Sequence, residues 1–422
     1  MTNRNPNSVA TKAAVLSISM LLLGSPAING ALPFMQASLG VTASQNEMLS
    51  TLPNFAVAIF IVIATWLAGR IGMKRTVFIG LLIVGAAGVV PMFTDDYPVV
   101  FASRLALGAG LGMFNALAVG LINELYDGAT KSTMLGLRSS AENVGQMALT
   151  FLAGVLLNFG WHWSFAIYFL AFPVAAFFWI HVPDDRPAAA VSLSAASTIE
   201  SAEEVASLHA LPPDSAVADK RAERLNPFVW ALVLFAIMQM LNNLAVSVRF
   251  PAIATAIQGE GYNSSFLLSL LPVLGIVGGC VFGAAKRRIG KAVLYIGLAG
   301  YILIDMLISL SDGNFAMVMA GVLLTGFPTT WCFPYVFDAL DRIVAPRHRQ
   351  LATSLVFIGC NIGQFLAPIS MSAIAAATGS EAPTAPFPIY GVVFAGILVG
   401  VIIHDMRHRN NPDAGHTHLI MD

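Results

Sequence analysis

The stretch GRIGMKRTVFIGL occupies residues 69–81, and RRIGKAVLYIGLA occupies residues 287–299. Each is a short basic turn set between long apolar runs. Aligning Gly72 with Gly290 sets an offset of 218 residues, and the offset continues elsewhere. Arg70 and Ile71 meet Arg288 and Ile289, Pro33 meets Pro251, and Gly108 meets Gly326. Asn-Val-Gly-Gln at 143–146 meets Asn-Ile-Gly-Gln at 361–364. One matched glycine pair would carry little weight. Four separated places at one offset indicate a duplicated block.

Composition says what solvent that block occupies. The chain has 422 residues, 57% hydrophobic and 11% charged, with mean hydropathy +0.75. Soluble domains carry about 25% charged residues, so water is not the main solvent here. A net charge of −1 provides no field for nucleic acid. Cys280, Cys332 and Cys360 stand singly in apolar segments, without metal-ligand spacing, and are expected to pack as small hydrophobes.

A helix crosses a bilayer with about 20 apolar residues, because its backbone polar groups must be paired internally there. Twelve runs satisfy this: 13–35, 47–68, 75–93, 99–123, 133–157, 163–182, 227–249, 264–285, 291–311, 314–337, 350–374 and 386–405. The expected fold is an all-α membrane protein of twelve transmembrane helices in two six-helix bundles, residues 1–182 and 227–408. Residues 183–226, rich in Ala, Ser, Pro and acids, read as a cytoplasmic linker with a short surface helix near 199–209. Residues 409–422 read as a tail. Of the 22 Lys and Arg residues, all but Arg104 and Arg249 fall on one side of this topology. The positive-inside bias therefore places both chain ends and both basic turns in the cytoplasm. Halves with equal span number and parallel topology are expected for transporters whose site lies between them.

Polar groups at depth are costly and are the first functional candidates. Arg104 lies inside span 4 toward the outer end; it is either an anion partner in an outer cavity or a structural residue holding carbonyls. Glu142 lies within span 5. Stripped of water, a carboxylate favours its neutral form, so Glu142 is a candidate proton carrier. Arg138, four residues before it on the same helix face, can instead hold it ionised. Asn115 on span 4 sits at nearly the same depth. Asp305 on span 9 reads as a helix–helix contact. No His-Glu-x-x-His sequence and no deeply apolar histidine offers an enzyme's base, and no Walker-type loop exists to bind ATP.

The motifs resemble those of the major facilitator superfamily. WLAGRIGMKR at 66–75 is similar to the family's loop between spans 2 and 3, with Gly69 where an Asp is usual. RLALGAGLG at 104–112 resembles the span 4 signature, and GWHWSF at 160–165 the opening of span 6. Gly136, Gly145 and Gly154 fit the span 5 antiporter pattern, whereas Leu149, Thr150 and Ala153 replace its Gly, Pro and Gly. The motifs lie nearest the drug- and metabolite-exporting branch. The resemblance implies a monomeric secondary transporter of the cell membrane that moves a small organic solute by alternating access. The expectation is that transport is driven by the proton gradient, without a cofactor or metal. Spans 1, 4, 7 and 10 would line the cavity, with 2, 5, 8 and 11 beside it. That places Asn29, Asn242, Asn243, Gln146, Asn361, Gln364, Trp331 and Tyr335 as cavity candidates. Arg70, Gly72, Lys74, Arg75, Arg288 and Gly290 become the cytoplasmic gate loops. Span 1 holds no acid, which favours neutral or anionic solutes over cationic drugs. The alternatives are a proton-coupled importer of a small organic anion or nutrient, or a sensor that kept the fold without flux.

Overall fold

A computed structural model of the chain describes residues 7–183, 227–344, 346–380 and 382–409. The expected helix near 199–209 and the tail beyond Arg409 lie outside the described residues. Among the described residues the regular structure is helical, with no strand. Among the described residues, nine helices are long and apolar enough to cross a membrane. They are span 2 (Ala43–Ile71), span 3 (Met73–Met92), span 4 (Tyr97–Leu125), span 6 (Trp161–His181), span 7 (Phe228–Gln258), span 8 (Ser265–Phe282), span 9 (Ala292–Ser309), span 10 (Phe315–Phe337) and span 11 (Leu355–Thr378). Span 5, Gly128–Leu157, is as long but carries Lys131, Arg138 and Glu142. Span 12 is the apolar part, Phe387–Ile403, of a helix that continues to Arg409.

Span 1 departs from the continuous helix expected over 13–35. It is a helix at Val9–Ser19, a turn, a 3-10 segment at Ser25–Ala31 and a second helix at Leu32–Leu39. Pro26 and Pro33 each fall in the first turn of their segment, where a missing N–H is tolerated. In the other repeat Pro251 lies inside the continuous helix of span 7 rather than after its end. Neighbouring helices make such an interior proline tolerable in a membrane. Span 2 begins at a capping box, in which the Thr42 side chain caps Gln45 and Gln45 returns to the Thr42 backbone.

The repeated turn has a backbone reason. Gly72 joins spans 2 and 3 at φ 93°, and Gly290 joins spans 8 and 9 at φ 52°. Both lie in the positive-φ region that side chains avoid. The repeated Asn-x-Gly-Gln has a packing reason. Asn143 and Asn361 each donate to the carbonyl four residues earlier, on Ser139 and Phe357, at 3.0 Å. A Cβ at Gly145 would land on the backbone of Met20, and one at Gly363 on the backbone of Ile237. Glycine thus lets span 5 close onto span 1 and span 11 onto span 7. The main helix pairings repeat in the same way. Spans 2–4, 3–6 and 1–5 correspond to 8–10, 9–12 and 7–11, while 5–8 and 2–11 join the halves.

The hydrophobic core is distributed unevenly along the bundle axis. A single cluster fills the first half from Ala68 and Met73, beside the basic turn, to Ile28, Leu32 and Leu49, and it crosses into the second half at the charge-poor end, at Val246, Phe250, Leu268 and Met371. At the end bearing the basic turns, spans 7, 10 and 11 form a separate cluster around Val233, Phe337 and Val356. The halves are therefore fused at one end and independent at the other.

Candidate solute and coupling site

Contacts across the seam follow that asymmetry. Asn29 Nδ2 donates to Ser247 Oγ at 3.0 Å, and these two residues occupy equivalent positions of the repeat. Ser50 donates to Asn29 Oδ1. Ser372 Oγ lies 2.8 Å from Ser44 Oγ, Asn263 donates to the Gly154 carbonyl at 2.6 Å, and the Phe55 and Phe365 rings meet at 4.9 Å. One cross-half contact, an ion pair, is one that sequence reasoning missed. Arg249 Nε of span 7 lies 2.8 Å from Glu47 Oε1 of span 2, with side-chain exposures of 9% and 6%. Glu47 sits in the first turns of its helix, where an acid ordinarily reads as an interfacial residue. Its only sequence signal was Arg249, an isolated cation in an apolar run.

Half-buried polar side chains lie nearer the middle. Arg138 Nη2 is 2.7 Å from Glu142 Oε1 and 3.5 Å from Asn115 Oδ1, which gathers three predicted neighbours from spans 4 and 5 into one cluster. Arg138 is buried, and the Glu142 side chain is 15% exposed. Gln146 follows one turn later on span 5, and its repeat partner Gln364 and Asn361 lie on span 11. All three are half-buried, as is Tyr335 on span 10.

Other candidates stand elsewhere than a cavity wall. Arg104 is fully buried within the first half. Its guanidinium donates to the Leu49 carbonyl at 2.8 Å, the Ser25 carbonyl at 3.0 Å, Ser25 Oγ at 3.1 Å and Tyr168 Oη at 3.0 Å. Its donors are consumed in tying spans 1, 2, 4 and 6 together; the Leu49 carbonyl needs one because Pro53, four residues on in span 2, has no N–H to give it. Trp331 is buried, stacks near Phe327 and donates Nε1 to the Gly278 carbonyl at 3.1 Å, so its ring is packing between spans 8 and 10. Asn242 is buried and donates to Asp305 Oδ2 at 3.0 Å. Asn243 donates to Thr329 Oγ1 at 2.8 Å, and Thr329 also meets Tyr301 Oη at 3.0 Å.

The gate-loop residues are held within their own half. The Arg70 guanidinium stacks 3.9 Å from the Trp66 ring centre, and buried Lys74 lies 4.9 Å from that of Trp179. Arg75 and Arg288 are exposed. Among the described residues, spans 4 and 10 form no packed interface with each other.

Comparison with known proteins accounts for this arrangement. A family model described as Major Facilitator Superfamily matches residues 14–310. The chain belongs to that family. It is similar to a probable sulfoacetate transporter, SauU, of Cupriavidus necator, with 22% identity over 92% of this chain and 91% of that one. It is also similar to the bacillibactin exporter of Bacillus subtilis, with 28% identity over 36% of this chain; the match spans only 39% of that relative's length. Its fold matches that of a bacterial homologue of the lysosomal transporter Spinster, solved inward-facing and occupied. That match has a TM-score of 0.64 and 15% identity, and covers 95% of this chain and 98% of the other. Family membership makes this a multi-pass membrane transporter of small solutes and not an enzyme.

Proposed function

We propose that this protein is a proton-coupled exporter of a small neutral or anionic organic solute, working by alternating access in the cell membrane with both chain ends in the cytoplasm. The observation that carries the reading is the uneven seam: one shared core at the charge-poor end, separate cores at the basic end. Basic loops face the cytoplasm by the positive-inside rule. The described conformation is then closed outside and open inside, the state in which an exporter loads its cargo. The solute would sit near the midplane, between the Asn115–Arg138–Glu142 cluster and the half-buried polar face of spans 10 and 11. Arg138 offers a cation to an anionic or polar solute, and Glu142 is the partner it must release.

Reconstituted vesicles under an imposed pH step, screened against a panel of neutral and anionic organic solutes, test the proposal. Flux that follows the step, and falls at least tenfold in Arg138→Gln, supports it. Flux indifferent to the step in wild type would remove the coupling. Solute binding without flux would instead favour a sensor.

A further inference from the structure

Carboxylates are described inside spans 2, 4, 5 and 9, of which Glu124 of span 4 is exposed at the end of its helix. Glu47 has Arg249 and Glu142 has Arg138. Asp305 on span 9 is 1% exposed, and among the described residues it has no ion-pair partner. A lone carboxylate so placed is expensive in a membrane. Its surroundings show how the expense is avoided. Asn242 Nδ2 donates to Asp305 Oδ2 at 3.0 Å. The other oxygen of each side chain, Asp305 Oδ1 and Asn242 Oδ1, is buried without a hydrogen-bond partner. One proton on Asp305 Oδ1 supplies the donor that both oxygens lack. With that proton in place, an acid and an amide already joined on one arm would pair on the second, as O–H to Asn242 Oδ1, and the charge would be gone.

We propose that Asp305 and Asn242 form a proton-binding site between spans 9 and 7, holding one proton in a closed acid–amide pair. This deepens the proton-coupled reading above and rests on it for its role in transport. Release sends the proton from Oδ1 to water and leaves the negative charge on the carboxylate, whose two oxygens then cannot both be satisfied by one amide N–H. The pair must open or hydrate, which moves span 7 against span 9. Movement there reaches the rest of the second half through the next residue, because Asn243 is bonded to Thr329 of span 10 and Thr329 meets Tyr301 of span 9. The titratable groups around the site are few. Tyr301 faces Asp305 from one turn earlier on its own helix and also meets Cys332 of span 10. Span 12 packs against Asp305 at Gly391, and the neighbouring Tyr390 hydroxyl bonds Ser370 at 2.7 Å; Arg249, the nearest cation of span 7, is paired with Glu47. The first segment of span 10, Phe315–Leu324, contributes no ionisable group, and span 8 has only the exposed Cys280. None of these is a fixed cation dedicated to Asp305.

The full-length protein in phosphatidylethanolamine–phosphatidylglycerol vesicles gives the test, by infrared difference spectroscopy across pH. Wild type should show the carbonyl stretch of a protonated carboxylic acid at neutral pH. The band should move on ¹³C-aspartate labelling, which assigns it to an aspartate without any substitution. It should vanish in Asp305→Asn, persist in Glu47→Gln and Glu142→Gln, and shift to higher frequency in Asn242→Ala, where the amide is lost. A band untouched by aspartate labelling or by Asp305→Asn overturns the site. So does a carboxylate that responds to sodium at fixed pH rather than to protons. Flux separates the two proposals. Wild-type flux that ignores a pH step while the band titrates removes the coupled-transport reading and leaves the proton site. Asp305→Asn flux that still follows the pH step as wild type does removes the site from coupling, although coupled transport stands.

Discussion

At the residue scale, a membrane charge is read correctly only through its partners. Arg104 and Arg249 both stand apart from the basic side of the topology, yet they do different work. Arg104 satisfies two carbonyls and two hydroxyls inside one half, while Arg249 meets a carboxylate of the other half. Hydrogen bonds from a charged donor contribute about 1.5–3 kcal/mol each. Arg104→Gln should therefore lower the thermal unfolding midpoint in detergent sharply. Arg104→Lys should not rescue it, because an ammonium cannot present the planar fork that reaches Leu49, Ser25 and Tyr168 together. A Lys variant as stable as wild type would show that these bonds contribute little.

At the element scale, the repeated motif is a packing device before it is anything else. A Cβ at Gly145 or Gly363 would meet a neighbouring backbone, and overpacking of this kind costs about 1–3 kcal/mol. Gly145→Ala and Gly363→Ala should each lower the unfolding midpoint by comparable amounts, since they separate equivalent helix pairs. Gly279, where a Cβ would meet nothing within 4 Å, should accept Ala with unchanged or slightly raised stability. A tolerant Gly363 beside an intolerant Gly145 would break the equivalence of the two repeats. The turns at Gly72 and Gly290, the motif and its spacing were all legible in the sequence, because they depend on neighbours near in the chain or on one offset. The break in span 1 was less so. Hydropathy averages over Gly24 and Pro26, and the stretch is apolar enough to pass as one helix.

At the scale of the molecule, the two halves are packed together at the charge-poor end, which the proposed mechanism requires to open. Ser44 and Ser372 lie close enough that a Ser44→Cys/Ser372→Cys pair should form a disulfide under mild oxidation. Flux should then stop and return with reductant; unaltered flux in the oxidised protein would mean that these ends never part. The Glu47–Arg249 pair gives a second handle. Breaking a buried pair on one side costs about 3–5 kcal/mol, because the remaining charge is left unpaired. Arg249→Gln should speed maleimide labelling of a cysteine placed at Asn29 from the charge-poor side, and adding Glu47→Gln should bring the rate back toward wild type. Equal rates in the single and double variants would show that the pair does not hold the seam.

Hydropathy, the 218-residue offset and the distribution of Lys and Arg determined the membrane class, the number of spans and the parallel duplication without any coordinates. Those properties are sums over a chain whose every crossing must be helical in hydrocarbon. Which polar residues face which was decided only by tertiary structure. Asn242 turned to Asp305, Arg104 to Ser25 and Leu49, and Glu47 found Arg249 about two hundred residues away. In a low-dielectric interior a buried polar group takes the partner that packing brings within about 3 Å. Distance along the chain says nothing about which one that will be.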